Sequence, residues 1–347
     1  MINRILTRLT DRIYEMPVLV LMPHSRCNCR CVMCDIWKAN QNKTEISIEQ
    51  LEKHLQAFKK LKVKRVALSG GEALMHSNLW KFCERLHSIG LKISLLSTGV
   101  TLGHHAKNVI QHCDDVIVSL DGGKVIHNQI RNIPAAFEKL EQGVKSLKAI
   151  DRSFKVTART VLQKQNFRDF YTIINTAKAI GFDQISFLGA DISSEAFNRP
   201  DQWGEERVSG VALNKNEIDE LDSILNKSFV DFKKEYDTKF IAESPAKMMA
   251  ISQHYKATIG MGDFPQKHCN APWVSSVIES DGNVLPCFFH KSYGNINDGS
   301  LPTGQAGFAE IINSKKAIDF RKKLDVAEDP TCKKCVCSLS VGLTQQV

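Results

Sequence analysis

From Pro17 onward, short runs of β-branched and aliphatic residues alternate with stretches whose apolar positions recur every three or four residues. That alternation predicts strands joined by amphipathic helices. The first apolar run is Val18 to Met22. A helix is predicted from Ser47, whose hydroxyl and Gln50 three residues on suit a reciprocal cap, with Ile48, Leu51, Leu55, Phe58 and Leu61 as its apolar stripe. A strand Arg65 to Ser69 follows, then a helix carrying Leu79, Phe82, Leu86 and Ile89 that stops at Gly90, then a strand Lys92 to Ser97. After a weak helical stretch near 104–112 come a strand Val116 to Leu120 and a helix whose first turn suits Pro134 and whose stripe is Phe137, Leu140, Val144 and Leu147. Strand Phe154 to Leu162, helix Phe170 to Ile180 with Gly181 as its stop, and strand Gln184 to Leu188 complete the series.

Six strands separated by helices argue for a parallel sheet with right-handed crossovers, either a barrel or a doubly wound sheet. Both architectures place ligands at the carboxyl ends of the strands. The segments of unusual chemistry fall there: Cys27 to Cys34, Ser69 to Glu72, Ser97 to Gly99, and Ser119 to Gly122. The stretch 190–212 has no clear period and reads either as a substrate lid or as a surface insertion, with Asp191 at its strand end as a guess for a proton acceptor. A helix Asn214 to Leu225 follows, and near 235 the alternation ends. The expected division is therefore an N-terminal helix at 1–16, a core at 17–234 and a second domain at 235–347. The N-terminal helix sets Ile2, Leu6, Leu9 and Ile13 against Arg4, Arg8 and Arg12, and is expected to pack on the body of the protein; a membrane-surface anchor is the other reading.

Length and composition narrow the class. The 347 residues suit one large domain or two ordinary ones, and 43% hydrophobic with 24% charged residues is the composition of a globular protein. No apolar run approaches the ~20 residues that cross a bilayer, so the chain is expected to be cytoplasmic. A net charge of +8 admits anionic substrates. Its lysines, as at Lys59, Lys60, Lys62 and Lys64, carry no aromatic interleaving, and nucleic acid is not an expected partner. The 11 cysteines change the picture most. In a reducing compartment that number points to metal or catalysis rather than disulfides.

The first cysteine group is Cys27-Asn-Cys29-Arg-Cys31-Val-Met-Cys34. Thiolates at 27, 31 and 34 can wrap one face of a four-iron cluster and leave one iron open, although zinc competes for the same spacing. Cys29 lies inside the loop, where a one-residue gap suits a cubane poorly. With Gly70-Gly71-Glu72 at the end of the second strand, this pattern resembles the radical S-adenosylmethionine (SAM) superfamily, and Ser97-Thr98-Gly99, Ser119-Leu120-Asp121-Gly122 with His127 and Arg131, and Arg159-Thr160-Val161 with Asn166 add to the likeness. The resemblance covers about residues 17 to 190. It implies an α/β fold built on a partial (β/α)6 TIM-like barrel, with SAM chelating the open iron. Gly70, Gly71 and Glu72 are then expected around the SAM amino group, and Ser97, Ser119 and Arg159 around its ribose or carboxylate. Met33 departs from the aromatic residue that many members place beside the adenine.

The second group is Cys269, Cys287, Cys332, Cys335 and Cys337, with a hairpin turn Ser280-Asp281-Gly282-Asn283 between the first two. Gly282 stands five positions before Cys287, and a two-cysteine pair closes the set. The pattern resembles the SPASM and Twitch extensions of radical SAM enzymes, a smaller C-terminal α+β domain. Five cysteines fit the shorter Twitch form with one auxiliary four-iron cluster, and a zinc site is the other reading. The intervening 17, 44 and two residues are similar to the auxiliary-cluster site of the 2-deoxy-scyllo-inosamine dehydrogenase family. Cys269, Cys287, Cys332 and Cys335 are the expected ligands, with Cys337 left over. Cys83 and Cys113 are expected to be core thiols.

The resemblance implies two [4Fe–4S] clusters, SAM, a flavodoxin- or ferredoxin-type electron donor, and a radical that takes hydrogen from an unactivated carbon. A closed auxiliary cluster able to accept an electron suggests a two-electron oxidation of a small polyol or amino-sugar-like metabolite, a dehydrogenase-like activity. Modification of a ribosomally made peptide is the alternative, weighed against the 26 residues before Cys27, which leave no room for a leader-binding domain. A molybdopterin-type cyclase is not expected, because the tail beginning at Gly342 lacks glycine and arginine richness.

Overall fold

The computed structural model describes residues 2–199, 201–298 and 307–345; Pro200, within the expected loop at 190–212, and the last two residues of the tail lie outside that set. The N-terminal α1 (Ile2–Thr10) precedes β1 (Val18–Leu21), α2 (Ile48–Lys60), β2 (Arg65–Leu68), α3 (Leu79–His87), β3 (Lys92–Ser97), α4 (Leu102–His112) and β4 (Asp115–Ser119). Then come α5 (Lys124–Arg131), α6 (Ala136–Ile150), β5 (Lys155–Leu162), α7 (Phe170–Ile180), β6 (Gln184–Gly189), α8 (Glu205–Val211) and α9 (Lys215–Asp231). The C-terminal part holds α10 (Lys233–Asp237), α11 (Pro245–Thr258), α12 (Ala271–Val274), β7 (Ser275–Ile278), β8 (Asn283–Leu285) and β9 (Gly294–Asn295). Short helices α13 (Phe308–Ile311), α14 (Lys315–Lys323) and α15 (Pro330–Lys334) end the described chain.

The six expected strands pair in parallel in the order β1 to β6, as the alternation predicts, and form the partial barrel that the resemblance implies. One face of each strand, for example Val66 and Leu68, Ile93 and Leu95, Val116 and Val118, is fully buried under the helices. The opposite face lines the lumen. Ser47 caps α2 through both halves of the reciprocal arrangement with Gln50, and Gly181 ends α7 at φ +98°. Cys83 and Cys113 are buried core thiols.

The C-terminal segment is not separate from this sheet. β7 runs parallel to β1, with Val18 opposite Ser275 and Leu21 opposite Ile278, and the β7–β8–β9 hairpins continue the sheet beyond the barrel edge. β7 is buried throughout its length. The covering removes an exposed edge from β1 and places Cys269 and Cys287 on either side of a strand of the main sheet.

Two expectations about helices are corrected. The sequence reading passes over α5, whose amphipathic eight residues sit between Gly123 and Asn132, a left-handed stop at φ +51°. Pro134 lies before α6, which starts only after Ala135 at φ +56°. The first helix also docks the other way round. Ile2, Leu6 and Leu9 are exposed, Ile2 and Leu9 by 71% and 75%, whereas Thr7 is buried. Arg4 turns inward to the carbonyl of Gly342 at 2.6 Å and to Glu15 at 2.8 Å. Polar satisfaction of C-terminal carbonyls, rather than apolar burial, fixes α1 to the body. Of the four apolar positions only Ile13, beyond the helix, is buried.

Candidate functional site

The first cysteine loop leaves β1 at the carboxyl end of the sheet and is held from three directions. Backbone N–H groups of Arg30 and Val32 donate to the carbonyls of Arg131 and Ile130 at the end of α5, both at 3.1 Å. Asn40 closes a two-way bond with the backbone of Cys27, each at 2.9 Å. From β2, Glu72 N–H donates to the Arg26 carbonyl at 2.9 Å. A side chain at Gly71 would collide with that same carbonyl, and Gly70 adopts φ +104° against Met22. The two glycines are thus required by the approach of the cysteine loop to the strand end.

Within the loop, two of the three sulfurs have a donor. The Ile36 N–H reaches Cys34 Sγ at 3.4 Å, and Arg131 Nη1 lies 3.5 Å from Cys31 Sγ. Burial pushes the Cys34 thiol up to about 12 and raises Cys27 further. Cys31 is the exception, lowered by a hydrogen bond from the Cys29 thiol and then by the Arg131 charge. A row of buried thiols that resist ionisation suits a group that brings its own positive charge.

Glu72 is fully buried, and its carboxylate accepts from the Ser97 hydroxyl at 3.0 Å, the Thr98 N–H at 2.7 Å, the Thr98 hydroxyl at 2.6 Å and the Leu74 N–H at 3.2 Å. Burial raises its pKa against those bonds. The side chains of Glu72 and Ser97 are therefore spent on tying the β2 end to the β3 end. Ser119 and Arg159 stand opposite one another on β4 and β5, and Ser186 stands opposite Arg159 on β6. Arg159 Nε donates to Ser186 Oγ at 3.2 Å. This gives a row of polar groups across the lumen face of three neighbouring strands.

The irregular stretch after β6 is a strap across the cysteine loop. Asp35, 2% exposed and next to Cys34, receives Arg207 on both oxygens and the Trp203 indole N–H at 2.8 Å. Arg199 and Arg207 sandwich the Trp203 ring at 3.9 and 4.0 Å. Asp191 is paired with Arg199 at 2.8 Å and also accepts from Ser194, so it is a structural anion of the strap and not a free proton acceptor. On its far side Phe197 stacks on Phe288, next to Cys287. The strap touches both cysteine regions.

At the second site, burial pushes the Cys287 thiol up to about 11, and Cys335 accepts from the Cys337 N–H at 3.3 Å. Cys332 caps into Asp329 through its own N–H at 2.8 Å, and His290 Nε2 lies 3.4 Å from its sulfur. Among the described residues, His290, Asp329 and Cys332 form the set whose ligand atoms all fall within 4.8 Å of one another, the spacing of a single ion. Lys267 sits among the thiols of Cys269, Cys332, Cys335 and Cys337. Cys337 is exposed and stands with the same group, the charges around its thiol being Arg159 and Asp191 first and then Cys269 and Lys267. A groove of about 700 Å³ opens beside Cys335, lined among others by Asp191, Glu195, Phe289, His290 and Lys334.

Both sites suit metal clusters. The donor sets are clustered thiols, with N–H groups at Cys31, Cys34 and Cys335, and Arg26 Nε, Asn28 Nδ2, Asp121 Oδ1 and His127 Nε2 are buried polar atoms without partners around the first loop. Sequence reasoning placed Arg199 and Trp203 in the candidate lid at 190–212 but missed Arg207, Asp35 and His290. The signal for the strap was its density of charge and aromatics; its partners lie more than 160 positions away and cannot be paired from sequence.

Residues 21–177 match the Radical SAM superfamily model, and residues 269–336 match SPASM, an iron–sulfur cluster-binding domain. A pre-heme d1 synthase of Dinoroseobacter shibae is 26% identical over 48% of this chain and 42% of its own length; the chain thus spans less than half of that relative. A cysteine-type anaerobic sulfatase-maturating enzyme of Clostridium novyi is 23% identical over 92% of this chain and 85% of its own. Among solved structures, Streptococcus suis SuiB bound to precursor peptide SuiA has a similar fold, with a TM-score of 0.63 and 13% identity over 96% of this chain and 73% of SuiB. No helix among the described residues is long and apolar enough to cross a membrane.

Proposed function

We propose that this chain, a radical SAM superfamily enzyme with a C-terminal SPASM domain, modifies a side chain of a peptide or protein. The observation that carries this reading is the near full-length similarity to an enzyme named for maturing another protein. The SuiB fold, solved with a precursor peptide, and the groove beside Cys335 support it. This reverses the order of the two substrate classes expected from cysteine spacing.

In this reading Cys27, Cys31 and Cys34 hold a [4Fe–4S] cluster that binds SAM, and Cys269, Cys287, Cys332 and Cys335 hold one auxiliary cluster. The bound cofactors supply a radical able to remove hydrogen from an unactivated carbon. The chain's own residues position and shield. Ser119 and Arg159 face the lumen side by side and are assigned to the SAM carboxylate, while Gly70 and Gly71 offer backbone atoms to its amino group. Glu72 and Ser97 act on SAM through the strand ends that they tie together. The strap covers the Cys34 side and limits water there. A flavodoxin- or ferredoxin-type donor supplies the electron. Asp191, paired with Arg199, anchors the strap and is not assigned as the proton acceptor.

Oxidation of a small polyol or amino sugar stays as a second reading because the intervals of 17, 44 and two residues in the second cysteine group favour it. The reconstituted protein is incubated anaerobically with SAM, dithionite and either a cysteine- or serine-containing model peptide or an amino-sugar alcohol. Formation of 5′-deoxyadenosine together with a peptide mass change supports the first reading. Turnover of the amino sugar with an unchanged peptide replaces it with the second.

A further inference from the structure

Arg131 ends α5 and is buried beneath the first cysteine loop. Its Nε donates to Asp121 Oδ2 at 2.6 Å, and its Nη1 points at Cys31 Sγ from 3.5 Å. Its own carbonyl accepts from Arg30 in the loop. Asp121 is fully buried, and its second oxygen has no partner. His127, also fully buried, accepts the Asp121 N–H at 3.2 Å through Nδ1 and leaves Nε2 unpartnered. A fully buried carboxylate is therefore dedicated to one guanidinium, and that guanidinium is dedicated to one of the three loop sulfurs. Nothing in holding the chain together demands this: α5 already grips the loop through two backbone bonds from Arg30 and Val32.

We propose that Arg131 and Asp121 form a charge pair that sets the reduction potential of the cluster held by Cys27, Cys31 and Cys34. The proposal rests on the reading of that loop as an iron–sulfur site. Cluster potentials follow local net charge, hydrogen bonds to sulfur and burial. The guanidinium stabilises the more negative, reduced state by donating to Cys31, and Asp121 moderates that effect while fixing the guanidinium plane. Arg131 is thus a positioning residue for the cluster and has no contact with substrate in this assignment.

The pair makes a prediction with two signs. In Arg131→Met the cation and the sulfur hydrogen bond are lost, and the midpoint potential of the first cluster shifts to more negative values. In Asp121→Asn the cation is left uncompensated, and the midpoint shifts to more positive values. Arg131→Lys, which keeps the charge without the planar fork, falls between Arg131→Met and the unsubstituted protein. The measurement is an EPR-monitored redox titration of the reconstituted full chain, with iron content determined in parallel. The auxiliary signal is removed by Cys269→Ala/Cys287→Ala in the same background. A purely structural role predicts iron lost from both variants, or shifts of one sign in both, and either result overturns the proposal, as does an unchanged midpoint at full iron content. Should Arg131→Met fail to take up iron, Asp121→Asn alone decides: a positive shift upholds the pair and no shift, or a negative one, rejects it. If the unsubstituted protein shows a reducible cluster whose signal ignores added SAM, the proposed function fails while the potential shifts remain measurable.

Discussion

The two cysteine regions solve the same problem with different architecture. The first draws three thiols from eight consecutive residues and relies on distant elements for support: α5 below, the β2 end beside, the strap above. The second draws its thiols from segments spread over residues 269 to 337 and supports them locally, with the Cys337 N–H donating to Cys335 Sγ and the Cys332 N–H held by Asp329. Their side-chain neighbours differ as well. Cys31 faces Arg131, always charged and backed by a fully buried carboxylate, whereas Cys332 faces His290, backed by the partly exposed Asp329. A compact cysteine motif needs the whole barrel to hold it, while a dispersed one needs the chain to be folded before its thiols meet.

The sharpest break between the regions is chemical. Replacing Cys27, Cys31 and Cys34 together by Ala should abolish SAM cleavage and remove about half of the roughly eight irons per chain that two cubanes hold. The auxiliary EPR signal should persist. Loss of both signals would show that the two regions load as one unit. Next in size, Cys335→Ala should erase the auxiliary cluster and Cys337→Ala should leave it in place. The sulfur at 335 has a backbone donor, the matched domain ends at residue 336, and Cys337 lies exposed beyond it, with Arg159 and Asp191 as the leading charges on its thiol. Iron loss confined to Cys337→Ala would exchange the two assignments.

Glycines report the supporting frames. Gly71→Ala drives a methyl into the Arg26 backbone carbonyl, which cannot move without displacing the cysteine loop. A loss of at least about 1–3 kcal/mol is expected from overpacking, with iron depleted at the first site only. Gly282→Ala, at φ +92° in the hairpin before Cys287, meets the side chains of Asn297 and Asn295. Side chains can yield, so its effect should be smaller and confined to the second site. Thermal unfolding and site-resolved EPR of both variants test the separation.

How much of this was legible follows the same divide. The barrel strands were readable because each carries a run of apolar residues between helical periods, and the first cysteine loop stood out because its spacing is local. What escaped were features set by contacts across the fold. The outward apolar face of α1 depends on Arg4 finding the carbonyl of Gly342, and the joining of β7 to β1 depends on an unpaired barrel edge that no periodicity announces. Asp191 looked like a free base at a strand end until Arg199, eight residues on, folded back onto it. Glu72 and Ser97 sat at the correct strand ends, yet their side chains point to each other.

The strap gives the smallest effect and the finest test of the contrast between distant and local support. Burial alone would raise the pKa of Asp35, but hydrogen bonds from Arg207, Trp203 and Lys38 outweigh it and hold the carboxyl below its ordinary range. A depressed folded-state pKa contributes stability that is present above the unfolded carboxylate value and is lost as pH falls through the folded one. Arg207→Ala should therefore cost about 1 kcal/mol near neutrality, since Arg207 is partly solvated and its pair is discounted accordingly. The gap between variant and parent should close as Asp35 protonates in acid. Lys315→Ala, which removes an exposed ion pair with Asp319 on α14, should show no such pH-dependent gap. Denaturant unfolding of both variants from neutral to acid pH compares them directly. A gap for Arg207→Ala that stays constant through the acid range would mean that the guanidinium acts by stacking on Trp203 rather than by neutralising Asp35, and would move the strap's anchor from charge to ring.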